Sequence, residues 1–304
     1  MRERRLRELR ALMPLPKPAI GITVGDPAGI GPEIARKAAA DPRVLDVCTP
    51  VLYGPPPDAS FAIGQVSGSA GQAAYDAIVA AVEDARQGRI AAVATAPINK
   101  EAFAAARVPW RGHTELLAHL TGTPRVAMMF YSDVLRVVLA TVHIPLAEVP
   151  SALTREAVEE IIALTASELP RFGFPSPRLA LAGLNPHAGE HGLMGLEDEA
   201  VLAPAVEASR ARGIRVDGPL PADTVFVRAM RGDFDAVIAC YHDQGLIPVK
   251  LVAFGHAVNV TLGLPIIRTS VDHGTAFDIA GRDVADPSSM VAAVLLAARL
   301  AART

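Results

Sequence analysis

Leu135-Arg-Val-Val-Leu-Ala-Thr-Val-His143, Leu179-Ala-Leu-Ala-Gly-Leu-Asn-Pro-His187 and Phe234-Asp-Ala-Val-Ile-Ala-Cys-Tyr-His242 are three apolar, strand-like runs, and each closes on a histidine. In an open α/β sheet, ligands bind outside the carboxyl ends of the strands. Three imidazoles delivered to that edge can converge. Three neutral nitrogens around one point make a divalent-metal site with open positions for water or substrate. Taken singly, each histidine reads better as a satisfied, partly buried side chain. Their repetition at three equivalent strand ends turns the reading to metal binding, with His143, His187 and His242 as ligands at a catalytic edge.

Working outward, helices alternate with such runs. Ala19-Ile-Gly-Ile-Thr-Val24 predicts a buried strand that breaks at Gly25-Asp-Pro-Ala-Gly-Ile-Gly-Pro32, followed by a helix from Glu33 to Ala40. Pro32 at the first helical position and Glu33 in the first turn suit a helix start. A helix over 73–87 leads to a strand over 90–95. Thr154 can cap a helix that carries Val158, Ile161, Ile162 and Leu169 on one face. Further helices are predicted over 197–212, stopping at Gly213, and over 288–302. This alternation predicts an α/β fold with a mostly parallel sheet, helices on both faces and right-handed crossovers. Gly54-Pro-Pro-Pro57 through Gly71 has loop composition and no clear element.

A chain of 304 residues can bury a large core and divide into two lobes around a cleft. The expected division is an extension over 1–18, a first lobe of 19–110 with 270–304, and a second lobe of 111–269. A hydrophobic content of 51% with 20% charged residues excludes global disorder. The net charge of −3 leaves no electrostatic footprint for nucleic acid, so small-molecule chemistry is the default. Cys48 and Cys240 are far apart and form no Cys-x-x-Cys; Cys240, two residues before His242, reads as a buried apolar thiol. With no membrane span and no signal peptide in sight, the expectation is a cytoplasmic protein. Met1 to Arg10 holds five arginines and two glutamates and is assigned no function.

The spacing Gly25-x-x-x-Gly29-x-Gly31 is not the dinucleotide fingerprint, so a standard Rossmann reading is rejected. A tight turn before a helix explains it as well as ligand contact does. Candidate anion binders are Lys250, after the third histidine, and Arg268, at the end of the apolar Leu262 to Ile267 segment. Arg268 offers a planar fork for phosphate or carboxylate, Lys250 a point charge. Gly112-His-Thr-Glu115 adds an imidazole and a hydroxyl.

Val271-Asp-His-Gly-Thr-Ala-Phe-Asp-Ile-Ala-Gly281 resembles the adenine-binding loop of the isocitrate and isopropylmalate dehydrogenases, with Phe277 where they carry proline. By that resemblance His273, Gly274, Thr275 and Ala276 cradle adenine and Asp278 accepts from the adenosine ribose. A carboxylate there repels a 2′-phosphate, which favours NAD over NADP.

Six motifs together resemble the 4-hydroxythreonine-4-phosphate dehydrogenase family. They are Gly25-Asp-Pro-Ala-Gly-Ile-Gly-Pro-Glu33, Gly112-His-Thr-Glu115, Leu184-Asn-Pro-His-Ala-Gly-Glu190, Gly218-Pro-Leu-Pro-Ala-Asp-Thr224, Tyr241-His-Asp-Gln-Gly245 and Arg268-Thr-Ser-Val-Asp-His-Gly-Thr275. The resemblance runs from about Ala19 to the end. It implies an isocitrate/isopropylmalate dehydrogenase-like fold and a homodimer with its active site at the subunit interface. It also implies the use of NAD and a divalent metal, with zinc the natural guess and cobalt, manganese or magnesium alternatives. His143, His187 and His242 match the family's metal ligands; His113, Thr114, Lys250, Asn259 and Arg268 match its substrate-binding positions. The segment over 54–71 is shorter than is usual in the family.

The implied reaction is oxidation of 4-phosphooxy-L-threonine at C3, with hydride passing to NAD, then loss of carboxylate to give 3-amino-2-oxopropyl phosphate, a step in pyridoxal 5′-phosphate synthesis. Asp243, Asp223 and Lys250 are the candidates to take the alcohol proton. Related family members act on phosphorylated threonate or erythronate, or on aromatic cis-dihydrodiols. Lys250, Asn259 and Arg268 speak for a phosphorylated substrate. A phosphate acyltransferase shares the general fold but gives the three histidines and the adenine-type loop no role. A sugar-phosphate sensor would need an output domain for which no residues are left over.

Overall fold

A computed structural model describes residues 17–303; the arginine-rich start and most of the 1–18 extension lie outside the described residues. Ten strands form one sheet: β1 (Ala19–Thr23), β2 (Thr49–Tyr53), β3 (Ala92–Thr95), β4 (Ala127–Tyr131), β5 (Arg136–Leu139), β6 (Leu179–Ala182), β7 (Val216–Leu220), β8 (Ala236–Ala239), β9 (Val258–Leu262) and β10 (Ile267–Ser270). Their order is β2-β1-β3-β10-β9-β4-β5-β8-β6-β7. β2, β1, β3 and β10 run parallel to one another, as do β5, β8, β6 and β7. Between the two sets, β10 to β9, β9 to β4 and β4 to β5 are antiparallel pairs. Three reversals leave the two parallel halves pointing in opposite directions. The sheet is mostly parallel, as expected; the antiparallel centre is new.

Side chains alternate across that centre with the period of two that a pleated strand imposes. Met129, Tyr131, Val138, Val258, Val260 and Leu262 face one way and join the largest apolar cluster, which runs from Ile20 to Leu300 and is closed by the helices Gly31–Ala39, Arg155–Glu168 and Ser288–Ala301. On the opposite face the helix Gly68–Arg86 packs near β1 and β3, while Ala222–Met230 and His242–Ala253 pack near β5 and β8. Helices therefore cover both faces, and the gap between the two groups on the second face, over β9 and β4, is a cleft.

One helix boundary changes. The helix predicted over 73–87 begins at Gly68, inside the stretch read as loop, with the Ser67 hydroxyl accepting from Ala70 N at 3.2 Å. Its glycines serve packing: a Cβ on Gly71 would stand 2.1 Å from the Ala102 carbonyl oxygen, so the short helix Lys100–Ala105 approaches only because none is there. The apolar Leu262 to Ile267 segment is the turn between two antiparallel strands, entered at Gly263 with φ +88°, and Arg268 lies within β10. Thr154 caps its helix as predicted, accepting from Ala157 N at 3.2 Å. Among the described residues, no helix is long and apolar enough to cross a membrane.

Candidate active site

The cleft encloses about 1050 Å³. Its floor is the polar face of the reversal: Asn259 on β9, Arg268 and Ser270 on β10, and Met128 and Phe130 on β4. Along β9, polar Asn259 and Thr261 alternate with apolar Val258, Val260 and Leu262, and that alternation is the local sequence signal for this part of the floor.

Arg268 is the dominant charge there. It is 2% exposed, and among the described residues it pairs with no carboxylate. Its Nε and Nη2 donate to Thr95 Oγ1 at 3.2 and 2.7 Å, and Nη1 donates to Thr261 Oγ1 at 3.0 Å. Burial pushes its pKa down to about 9, still high enough to keep the cation at neutral pH. A buried charge without a counter-ion is costly unless a ligand supplies one. Two more groups await partners: Asn259 Oδ1 and His113 Nε2 are enclosed and make no hydrogen bond. Burial first, and then the charge of Arg268, hold the His113 pKa well below the usual histidine range. His113 opens the helix His113–Thr121, and Thr114 beside it also lines the cleft.

At the other end stand the histidines. β5, β8 and β6 are neighbours and parallel, so their carboxyl ends share one edge. The strands stop at Leu139, Ala239 and Ala182, and each histidine lies beyond its strand: His143 in the connection, His187 in the short turn Pro186–Gly189 and His242 at the first position of the next helix. The rings of His143 and His242 lie 5.5 Å apart, and both line the cleft. Burial lowers the His143 pKa, helped by the charges of Lys100 and His242. His242 Nδ1 meets Asp243 Oδ1 at 2.7 Å, and His187 Nδ1 meets Glu190 Oε2 at 3.1 Å. When Nδ1 donates to a carboxylate, Nε2 carries the lone pair, which is how metal-binding histidines are commonly held. His187 does not join the pair: it sits at φ +53° in an exposed turn, and among the described residues no group of three or more His, Cys, Asp or Glu side chains is placed to hold a metal. The donor set fits a divalent cation at two imidazoles within this chain.

The helix His242–Ala253 presents His242, Leu246 and Lys250 to the cleft, a stripe set by the i, i+4 spacing. Of the three proton-acceptor candidates, Lys250 alone lines the cleft. Asp243 is occupied with His242, and Asp223 lies exposed in the first turn of Ala222–Met230, outside the cleft lining. Cys240 is buried, its Sγ donating to the Ala182 carbonyl at 3.2 Å. Sequence reasoning passed over Lys100, Trp110, Glu115 and Asp272, which also line the cleft. Lys100 had a signal: it is the first residue of its helix, where the macrodipole disfavours a cation.

The loop resembling an adenine site lies at the carboxyl edge of the first parallel half. His273 lines the cleft, Gly274 and Asp278 are exposed, Thr275 and Ala276 half-buried. Ile30 N donates to the Thr275 carbonyl at 3.0 Å, and a Cβ on Gly29 would fall 2.8 Å from that oxygen. The glycine-rich turn over 25–31 is therefore the close seat of this loop. Gly64 also abuts it, since a Cβ there would meet the Phe277 carbonyl oxygen at 3.0 Å. The short 54–71 segment, far in sequence from the histidines, borders this loop.

A reversed α/β sheet with an unanswered buried cation and an imidazole pair in one cleft defines an enzyme for a small anionic substrate. Residues 26–297 match the family described as pyridoxal phosphate biosynthetic protein PdxA. The chain is 46% identical over 323 aligned positions to the 4-hydroxythreonine-4-phosphate dehydrogenase of Desulforapulum autotrophicum, covering 93% of this chain and 95% of that one. It is 44% identical to the D-threonate 4-phosphate dehydrogenase of Cupriavidus necator, covering 94% and 98%. The crystal structure of the Klebsiella pneumoniae 4-hydroxythreonine-4-phosphate dehydrogenase superposes with a TM-score of 0.86 at 41% identity, over 94% of this chain and 98% of that one. A β-decarboxylating dehydrogenase of Thermococcus kodakarensis shares the fold alone, with a TM-score of 0.51 at 16% identity over 90% and 80% of the two chains. The chain belongs to the PdxA family and is an oxidoreductase.

Proposed function

We propose that the protein oxidises 4-phosphooxy-L-threonine at C3 with NAD and a divalent metal, and that the resulting β-keto acid loses carboxylate to give 3-amino-2-oxopropyl phosphate. The observation that carries this reading is Arg268, a buried guanidinium on the cleft floor that no carboxylate answers among the described residues. A phosphate dianion is the natural counter-charge, and the unpartnered His113 Nε2 and Asn259 Oδ1, with Thr114 and Lys250, surround the same space.

Binding the phosphate at Arg268 directs the rest of a four-carbon acid along the cleft toward His143 and His242. His143, His242 and His187 are the residues that would hold the cation; it supplies Lewis acidity toward the C3 alcohol and later the carbonyl. His273, Gly274, Thr275 and Ala276 would hold the adenine of NAD and Asp278 its ribose, and the bound nicotinamide would supply the hydride acceptor for C3. Fixing both ends of the substrate orients the C3–H bond, and such positioning removes several kcal/mol of barrier, on the order of 7 for a well-held pair. Asp243 acts through His242 by fixing its tautomer. That leaves Lys250, whose Nζ can receive the alcohol proton only as the free amine.

We further propose that the active form is a homodimer. Leu193, Leu196, Leu251 and Phe254 are each at least 66% exposed, the first two near His187 and the others on the helix of His242. Large apolar side chains left in water around a functional site mark an interaction surface. A second copy there would bring its own His187 to the imidazole pair, which explains why one chain alone gathers only two.

A second reading is oxidation of D-threonate 4-phosphate, the activity named for the relative at 44% identity. It uses the same phosphate and metal ends and differs in the substituent at C2. NADH formation by metal-reconstituted enzyme, measured on 4-phosphooxy-L-threonine, phosphorylated threonate, phosphorylated erythronate and a cis-dihydrodiol, decides among these. Preference for the dihydrodiol would overturn the phosphate reading.

A further inference from the structure

The hydrogen bonds of Arg268 leave a pattern. A guanidinium has five N–H donors in a fixed fork. Nε and Nη2 share one edge, and both donate to Thr95 Oγ1. One N–H of Nη1 goes to Thr261 Oγ1. One donor on Nη1 and one on Nη2 are unused, and because the side edge is taken up by Thr95 the free Nη2 donor lies on the end-on edge of the fork. Thr95 accepts twice, and its own hydroxyl donates to Ser270 Oγ at 2.9 Å, with the Thr269 carbonyl oxygen also within reach at 3.4 Å. Ser270 Oγ in turn donates to the Thr95 carbonyl at 3.2 Å. Both hydroxyls of the chain Arg268–Thr95–Ser270 thus have acceptors within the protein. Thr95 is fully buried at the end of β3, paired in register with Ser270.

We propose that Thr95 is a positioning residue: its hydroxyl pins the side edge of Arg268 so that the end-on edge is presented, bidentate, to the substrate phosphate. This rests on the anion role given to Arg268 above. It explains why a strand end at the sheet centre carries threonine where the apolar run Ala92-Val-Ala would pack as well on valine. A guanidinium free to rotate about its last torsions would still attract a dianion, but it would lose the two parallel hydrogen bonds that give the Arg–phosphate pair its strength.

The test uses the full chain and Thr95→Val, which keeps the shape and deletes the hydroxyl, beside Thr95→Ser, which keeps the hydroxyl. Thr95→Val is expected to raise KM for the phosphorylated substrate and Ki for inorganic phosphate together, by about tenfold, with kcat within about threefold of the parent. KM for NAD is expected to stay at the parent value, and Thr95→Ser is expected to restore both phosphate constants. A purely structural role for Thr95 would move the NAD constant as well. Equal phosphate affinity in Thr95→Val and parent overturns the proposal, and so does a Thr95→Ser as weak as Thr95→Val. If Thr95→Val does not fold, Thr261→Val reports on the Nη1 contact of the same fork, and a parent-like Ki there counts against the proposal. Should the parent itself neither bind inorganic phosphate nor oxidise a phosphorylated hydroxy acid, the anion reading of the cleft falls first and the proposal with it.

Discussion

The rings of His143 and His242 lie 5.5 Å apart although one follows β5 and the other opens the helix after β8. Parallel pairing of those two strands is what brings them together. Asp243 then holds the second ring by Nδ1. The pair is the part of the proposed metal site that a single chain assembles.

Replacing either His143 or His242 by alanine is expected to abolish measurable metal binding and lower activity at least about a hundredfold. Asp243→Asn, which removes only the carboxylate behind His242, is expected to weaken the metal by about ten- to a hundredfold. Metal content after dialysis, with circular dichroism to confirm the fold, checks both. Unchanged activity in the metal-stripped parent would refute the metal assignment.

His187 provides a test of the dimer. If it serves the site of the partner copy, then His187→Ala and His242→Ala are each inactive alone but complement one another. After the two are unfolded and refolded together, half of the dimers carry both variants and one intact site of two, so about a quarter of the parent activity should return. No recovery at all, with mixed dimers demonstrated, would place His187 and His242 in the same site or in none.

Arg268→Lys keeps the charge and loses the fork. It is expected to lower kcat/KM for the phosphorylated acid by about ten- to a hundredfold, the worth of a charge-assisted pair. The same variant should leave activity on 4-hydroxythreonine lacking its phosphate close to the parent's low level. Comparable parent efficiency on the two substrates would remove the anion clamp.

Asp278 is expected to set the cofactor. The parent should prefer NAD to NADP, and Asp278→Ala should weaken NAD more than NADP, because the carboxylate both accepts from the ribose and repels a 2′-phosphate. Steady-state constants with each cofactor measure this; equal use of both by the parent would count against it.

Far from the cleft, Asp235 ties the start of β6 to that of β8. Burial alone would raise its pKa, but Arg178, donating from its backbone N at 2.7 Å and Nη2 at 2.8 Å, holds it below the usual aspartate range. A carboxyl depressed on folding contributes stability that is present above its unfolded pKa, about 3.9, and is lost as pH falls through the folded value. Asp235→Asn is expected to cost about 1 kcal/mol at neutral pH, a modest sum because Arg178 is partly exposed. Melting curves of parent and variant should converge below about pH 4.

The strands that lead to the three histidines were legible because each is a short apolar run buried on both faces, and most of the helices because their starts and stops are written locally, as at Thr154 and Gly213, whereas β4, β9 and β10 of the cleft floor were not. The first turn of the helix that starts at Gly68 was not, since its glycines answer to the backbone of Ala102 and Ala105, a contact that no local pattern records. The residue types were also readable: three histidines after three strands, two of them in the cleft, a lysine two turns beyond one of them, and an arginine at the end of an apolar segment. What only the tertiary structure decided is which of these meet. Strand order is a long-range property, and the antiparallel pairs of β9 and β4 turn the two halves head to tail, bringing the carboxyl ends of both into one cleft. That arrangement buries Arg268 without a counter-charge, sets His143 against His242, and leaves Asp223 outside.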